Sequence, residues 1–77
     1  MTAQTRDPRE REPLTNRERE ILDMAAADYG VREMAARLVL GKETIRTHRK
    51  HAMHKLGCHT MAGAVAVWLR SQDEAKS

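Results

Sequence analysis

The stretch GKETIRTHRKHAMHKLG, residues 41–57, sets Lys42, Arg46, Arg49, Lys50 and Lys55, three His and the single acid Glu43 among Ile45, Ala52, Met53 and Leu56. On a helical wheel Ile45, Ala52 and Leu56 fall together, with Met53 beside them. Glu43, Arg46, Thr47, Lys50 and His54 fall on the opposite side. A helix of this kind needs a core to lie on, and it presents its charge outward. The rest of the chain has to supply that core.

The formal net charge is +3, and its placement says more than its size. Residues 1–13 carry three Arg against two Glu and one Asp, and residues 14–40 carry four Arg against five acids. Residues 58–77 balance Arg70 and Lys76 against Asp73 and Glu74. Residues 41–57 alone hold five bases against one acid, so the excess sits on one element. That is the electrostatic footprint of a polyanion-binding surface; a solvated helix face is the competing explanation.

With 77 residues the chain has room for one small module. A domain this small hides only about 60% of the surface its unfolded chain exposes, so its core is marginal unless a staple or partner supports it. The single Cys58 leaves no internal disulfide, which fits a reducing compartment. No segment approaches the roughly 18 apolar residues of a membrane span. The start MTAQTRDPRERE lacks the apolar core of a signal peptide. The expected location is the cytoplasm, in association with the nucleoid, with no membrane partner.

Residues 1–13 are charged and contain Pro8 and Pro13, so a disordered arm is expected there. LTNRE then supplies a helix start, with Thr15 as N-cap and Glu18 closing a capping box. Ile21, Leu22 and Ala25 form the inward stripe of this first helix, which should end near Asp28 to Gly30. A second helix over about 31–38 offers Met34, Ala35 and Leu38. Val39, Leu40 and Gly41 make a tight connection to the third helix, about 42–56, which Gly57 ends as a C-cap. Thr60 should cap a mostly apolar fourth helix over about 61–72, followed by a tail, 73–77. In that helix Met61, Val65, Trp68 and Leu69 share the face expected to complete the core. Gly63, Ala66 and Val67, with Arg70 nearby, are left outside.

Two short helices joined by a tight turn, the second amphipathic with a basic outer face, are the parts of a helix-turn-helix. A helix fits the B-DNA major groove, where Arg or Lys pairs with guanine and Thr contacts a base edge or the thymine methyl. Arg46, Thr47 and Lys50 are of the right types near the front of the helix. Tyr29 and Trp68 are the only aromatics, so stacking platforms for single strands are absent and duplex DNA is the better ligand.

The order of the residues adds to this. From Leu14 to about Leu69, the pieces LTNREREIL, REMAARL, ETIRTHRKHAMHKLG and the apolar last helix resemble the LuxR-type (GerE-like) helix-turn-helix family. The resemblance implies an all-α, four-helix bundle with a central helix-turn-helix over 14–72, in which the third helix reads the major groove and the fourth helps make dimers. Matched position by position, Arg46, Thr47 and Lys50 fall on the base-reading face. Thr44, His48 and Lys55 fall at positions that touch phosphates or brace the helix, and Arg32 falls at a basic position of the scaffold helix that reaches the backbone. Lys42 joins the expected backbone contacts. Glu33 matches a structural acid. Gly63, Ala66, Val67 and Arg70 form the expected dimer interface. Three positions depart from the family: Gly41 replaces a Ser or Thr cap, Asp28 replaces the glycine after the first helix, and Gly30 stands near the polar cap of the second.

His51, His54, Cys58 and His59 invite a metal reading, since His51 and His54 share a helix face. Their spacing matches no standard zinc pattern, and neither metal nor cofactor is expected. The five Met are core gap-fillers. No nucleophile has an evident base and orienting partner, so no enzyme is expected. The leading expectation is a stand-alone transcriptional regulator that binds duplex DNA as a homodimer. An adaptor acting mainly through RNA polymerase or another regulator is the alternative. The promoter-reading region of a sigma factor has a similar helix-turn-helix, but TNRE and THRKHAMHKL fit the LuxR type better.

Overall fold

The computed structural model describes residues 13–76, which form helices α1 (Asn16–Ala26), α2 (Val31–Leu38), α3 (Lys42–Leu56) and α4 (Met61–Lys76). The arm expected over 1–13 lies, apart from Pro13, outside the described residues.

Each helix begins and ends for a local reason. At α1 the Thr15 Oγ1 accepts from the Glu18 N–H at 3.1 Å while Glu18 Oε1 accepts from the Thr15 N–H at 3.0 Å, completing the capping box. The helix stops at Ala26, earlier than the Asp28 to Gly30 expected, because Asp28 turns left-handed (φ 71°) and the Tyr29 N–H closes back onto the Met24 carbonyl at 3.0 Å. Asp tolerates this conformation better than most non-glycine residues. Gly30 caps α2 with no side chain of its own, and Glu33 compensates by accepting the Gly30 N–H at 3.3 Å. Gly41 likewise caps α3 without a side-chain bond, a loss of a few tenths of a kcal/mol against Ser or Thr. Gly57 ends α3 in the left-handed region at φ 69°. Thr60 Oγ1 accepts the Gly63 N–H at 3.0 Å and starts α4.

Between α2 and α3 the turning residue is Val39, at φ 55° and 87% exposed. A β-branched side chain is poorly suited to that conformation. The Leu40 N–H bonds the Ala35 carbonyl at 3.0 Å and fixes the turn.

Two apolar clusters hold the helices. Ile21, Met34 and Ile45 are essentially fully buried and join α1, α2 and α3, with Met24, Tyr29, Val31, Leu38 and Leu40 around them. Leu22, Ala52, Ala64 and Trp68 join α1, α3 and α4. Met61 packs against both clusters. Burying one Leu or Ile stabilises the fold by about 1.5–3 kcal/mol, and these few side chains carry most of it.

The fourth helix departs from expectation twice. It runs through Lys76 instead of stopping near 72, because SQDEAK contains neither Gly nor Pro to end it. Its inward face is Met61, Ala64, Val65 and Trp68, with Ala64 fully buried, while Leu69 is 47% exposed. The inward residues follow i, i+3, i+4, i+7 from Met61, and Leu69, at i+8, falls on the edge of that stripe and stays open to solvent. The Trp68 Nε1–H donates to Asp23 Oδ1 at 2.8 Å, tying α4 to α1.

Candidate nucleic-acid interface

α3 is anchored on one side by Ile45 and Ala52, both fully buried. On the other side Glu43, Arg46, Thr47 and Lys50 are all exposed. These four positions follow i, i+3, i+4, i+7, so they form one strip beginning in the first turn of the helix. Lys42 and Thr44 are exposed beside the strip, His48 is half-buried at its margin, and Arg32 is exposed on α2. Arg46 Nη1 donates to Glu43 Oε2 at 2.6 Å, an ion pair between side chains that are 54% and 88% exposed. On α2, Arg37 stacks over the Tyr29 ring, 4.5 Å from its centroid.

Lys55 requires a correction. It was expected at the DNA backbone, yet its side chain is only 6% exposed. Its Nζ donates to Glu18 Oε1 at 2.8 Å and to the Pro13 carbonyl at 3.3 Å. Lys55 follows Ala52 by three residues, on the flank of α3 that meets α1, and Glu18 precedes Ile21 and Leu22 on the buried stripe of α1. The ammonium is turned to the interior, where it braces α3 against α1.

Glu18, 3% exposed in its side chain, sits at the centre of this arrangement, with His51 Nδ1 4.0 Å from its Oε2. Burial is the largest influence on its carboxyl and pushes the pKa up. The hydrogen bonds from Lys55 and the Thr15 N–H, with the charges of Lys55 and His51, together outweigh burial and leave it below its usual value. The capping box signalled Glu18. That the same carboxylate would also neutralise Lys55, 37 residues away, had no signal beyond two opposite charges on inward-facing stripes.

His54, Cys58 and His59 border a shallow depression with Gly57. Among the described residues no three His, Cys, Asp or Glu side chains converge as a metal site would require. None of the described helices is long and apolar enough to cross a membrane. The arrangement offers instead a firmly seated helix with a polar, mostly basic strip along its outer edge.

Known proteins carry the same pattern. Residues 12–68 match the luxR family of bacterial regulatory proteins. The spore germination protein GerE of Bacillus subtilis is 39% identical over 57 residues, which span 74% of this chain and 77% of that protein. The transcriptional regulatory protein UhpA of Escherichia coli is 44% identical over 46 residues, covering 60% of this chain and 24% of UhpA. The oxygen regulatory protein NreC of Staphylococcus aureus is 43% identical over 56 residues, covering 73% of this chain and 25% of NreC. The chain thus spans about a quarter of the length of UhpA and NreC. The matched span takes in the first three helices and the first half of the fourth, with the whole exposed strip of α3, and the chain belongs to the luxR family of bacterial regulatory proteins as a DNA-binding regulator of transcription, not an enzyme.

Proposed function

We propose that the protein regulates transcription by laying the N-terminal half of α3 into the major groove of duplex DNA. Arg46, Thr47 and Lys50 read base edges there, and Arg32, Lys42, Thr44 and His48 contact the backbone. The observation that carries this reading is the strip itself: three donors of base-reading type stand exposed on a helix whose opposite side is locked by Ile45 and Ala52. The protein acts in the cytoplasm, on the nucleoid, as a homodimer paired through α4. Ala66 and Arg70 are exposed, Gly63 and Val67 are half-buried beside them, and Leu69 adds an exposed apolar group to the same surface. A two-fold pair would bury these residues and set two recognition helices on neighbouring half-sites.

Fluorescence anisotropy across a salt series is the direct test. Each phosphate neutralised contributes about 0.9 to the fall of log affinity with log salt, so a flat profile would reject the duplex-DNA reading. Sequencing the duplexes selected from a random pool would name the operator. No enrichment at all would favour an adaptor acting through RNA polymerase or another regulator. For the dimer, Val67→Glu should keep the helical circular dichroism, weaken self-association in sedimentation and reduce affinity for a palindrome more than for a half-site.

A further inference from the structure

Glu43 is the only acid in α3, and it stands in the first turn on the strip that carries Arg46, Thr47 and Lys50. A carboxylate at that place is out of keeping with a surface for a polyanion. Its pair with Arg46 explains little about the fold, because an exposed i, i+3 ion pair adds almost nothing to stability. An acid in the first turn also complements the helix dipole, and what Glu43 does beyond that falls on whatever the strip meets. Oε2 accepts from Arg46 at 2.6 Å, and among the described residues no donor reaches Oε1.

With α3 in the major groove, the residues at its N-terminal end are those that reach base edges. Phosphates repel Oε1, and so do most base edges. Guanine presents two acceptors, thymine presents O4 and a methyl group, and adenine sets its amine beside the acceptor N7. Cytosine alone presents the N4 amine as its hydrogen-bonding group. Arg46, one turn further along the helix, is suited to guanine O6 and N7. The contact between the two side chains couples these readouts, because the carboxylate that faces cytosine also holds the guanidinium away from the phosphates.

We propose that Glu43 is a specificity-determining residue: its Oε1 accepts from the N4 amine of a cytosine while its Oε2 holds the Arg46 guanidinium toward a guanine in an adjoining base pair. This rests on α3 being the groove-reading helix, and the experiment separates the two claims. The full chain, with Glu43→Ala, Glu43→Gln and Arg46→Ala, is selected against a random duplex pool and the bound DNA is sequenced. The native protein should enrich a motif containing a cytosine position. In Glu43→Ala the preference for that cytosine should fall by about fivefold, the low end for one base-edge contact. In Glu43→Gln it should move toward adenine, since an amide pairs with N6 and N7. Affinity of both variants for unrelated duplex should rise as a negative charge is removed. Identical motifs from the native protein and both Glu43 variants, with Arg46→Ala altered, would overturn the role of Glu43 and leave the helix assignment standing. No motif from the native protein would overturn both.

Discussion

The Glu18–Lys55 and Glu43–Arg46 pairs close at 2.8 and 2.6 Å near opposite ends of α3. The side chains of the first are 3% and 6% exposed, and those of the second 88% and 54%. Near-equal contact lengths therefore serve different ends, and water decides which. At the C-terminal end both charges have lost their hydration, so each depends on the other and on the Thr15 N–H and Pro13 carbonyl around them. At the N-terminal end both charges remain hydrated, the pair hardly touches stability, and its members are free to exchange partners with a ligand. One helix is thus fixed to the domain at one end and presented to a partner at the other.

The buried pair carries the largest expected effect. Glu18→Gln or Lys55→Met alone should cost about 3–5 kcal/mol, as a buried pair deprived of one member does, read from urea unfolding by circular dichroism. Glu18→Leu combined with Lys55→Met should recover most of that loss. A single substitution costing under about 1 kcal/mol would put Lys55 back among solvated charges. Arg46→Ala comes next. It should cost about 1–3 kcal/mol of binding on the preferred site while leaving the unfolding midpoint nearly unchanged. Lys55→Met should affect DNA only in proportion to the fraction unfolded. Equal loss of specific and random binding in Arg46→Ala would remove that residue from base reading.

Acid should separate the two pairs more gently, because burial opposes the other influences on Glu18. Its folded pKa lies below the ordinary value of 4.5, so its contribution is complete above that value and is lost as pH falls through the folded pKa. Unfolding measured from neutral pH down to about 3 should show this loss, and Glu18→Gln should lack it. The smallest effect belongs to the turn entering α3. Val39→Asn should raise stability by about 0.5–1 kcal/mol, since Asn accepts the left-handed conformation that Val resists. No change in the unfolding midpoint would mean that Val39 carries no strain.

Local chemistry made most of the fold legible. The Thr15 and Glu18 capping box, Gly57 as a left-handed stop and the Ile45 and Ala52 stripe are all short-range patterns, and each appears where the residues indicate. What was misread depended on partners distant in the chain. Lys55 looked like one more surface base because only the packing of α1 on α3 brings Glu18 to it. Leu69 looked internal because residues 61–69 are apolar nearly all round, and such a run does not reveal its phase; Ala64, too small to signal a core position, took the buried place. The exposure of the strip on α3 was legible for a different reason: charged and polar residues opposite Ile45 and Ala52 need no tertiary partner to face outward.

The bond between Trp68 and Asp23 has an optical consequence. Trp68 is the only tryptophan and Tyr29 the only tyrosine, and they lie in different clusters. Indole emission therefore responds to the seating of α4 on α1, while the phenol absorbance responds to the packing of α2. Following indole emission, excited to the red of the phenol band, beside phenol absorbance during denaturation shows whether the last helix lets go before the helix-turn-helix, with no dye attached and no residue replaced. A red shift of the indole that precedes any change at the phenol would mean that the C-terminal helix detaches on its own.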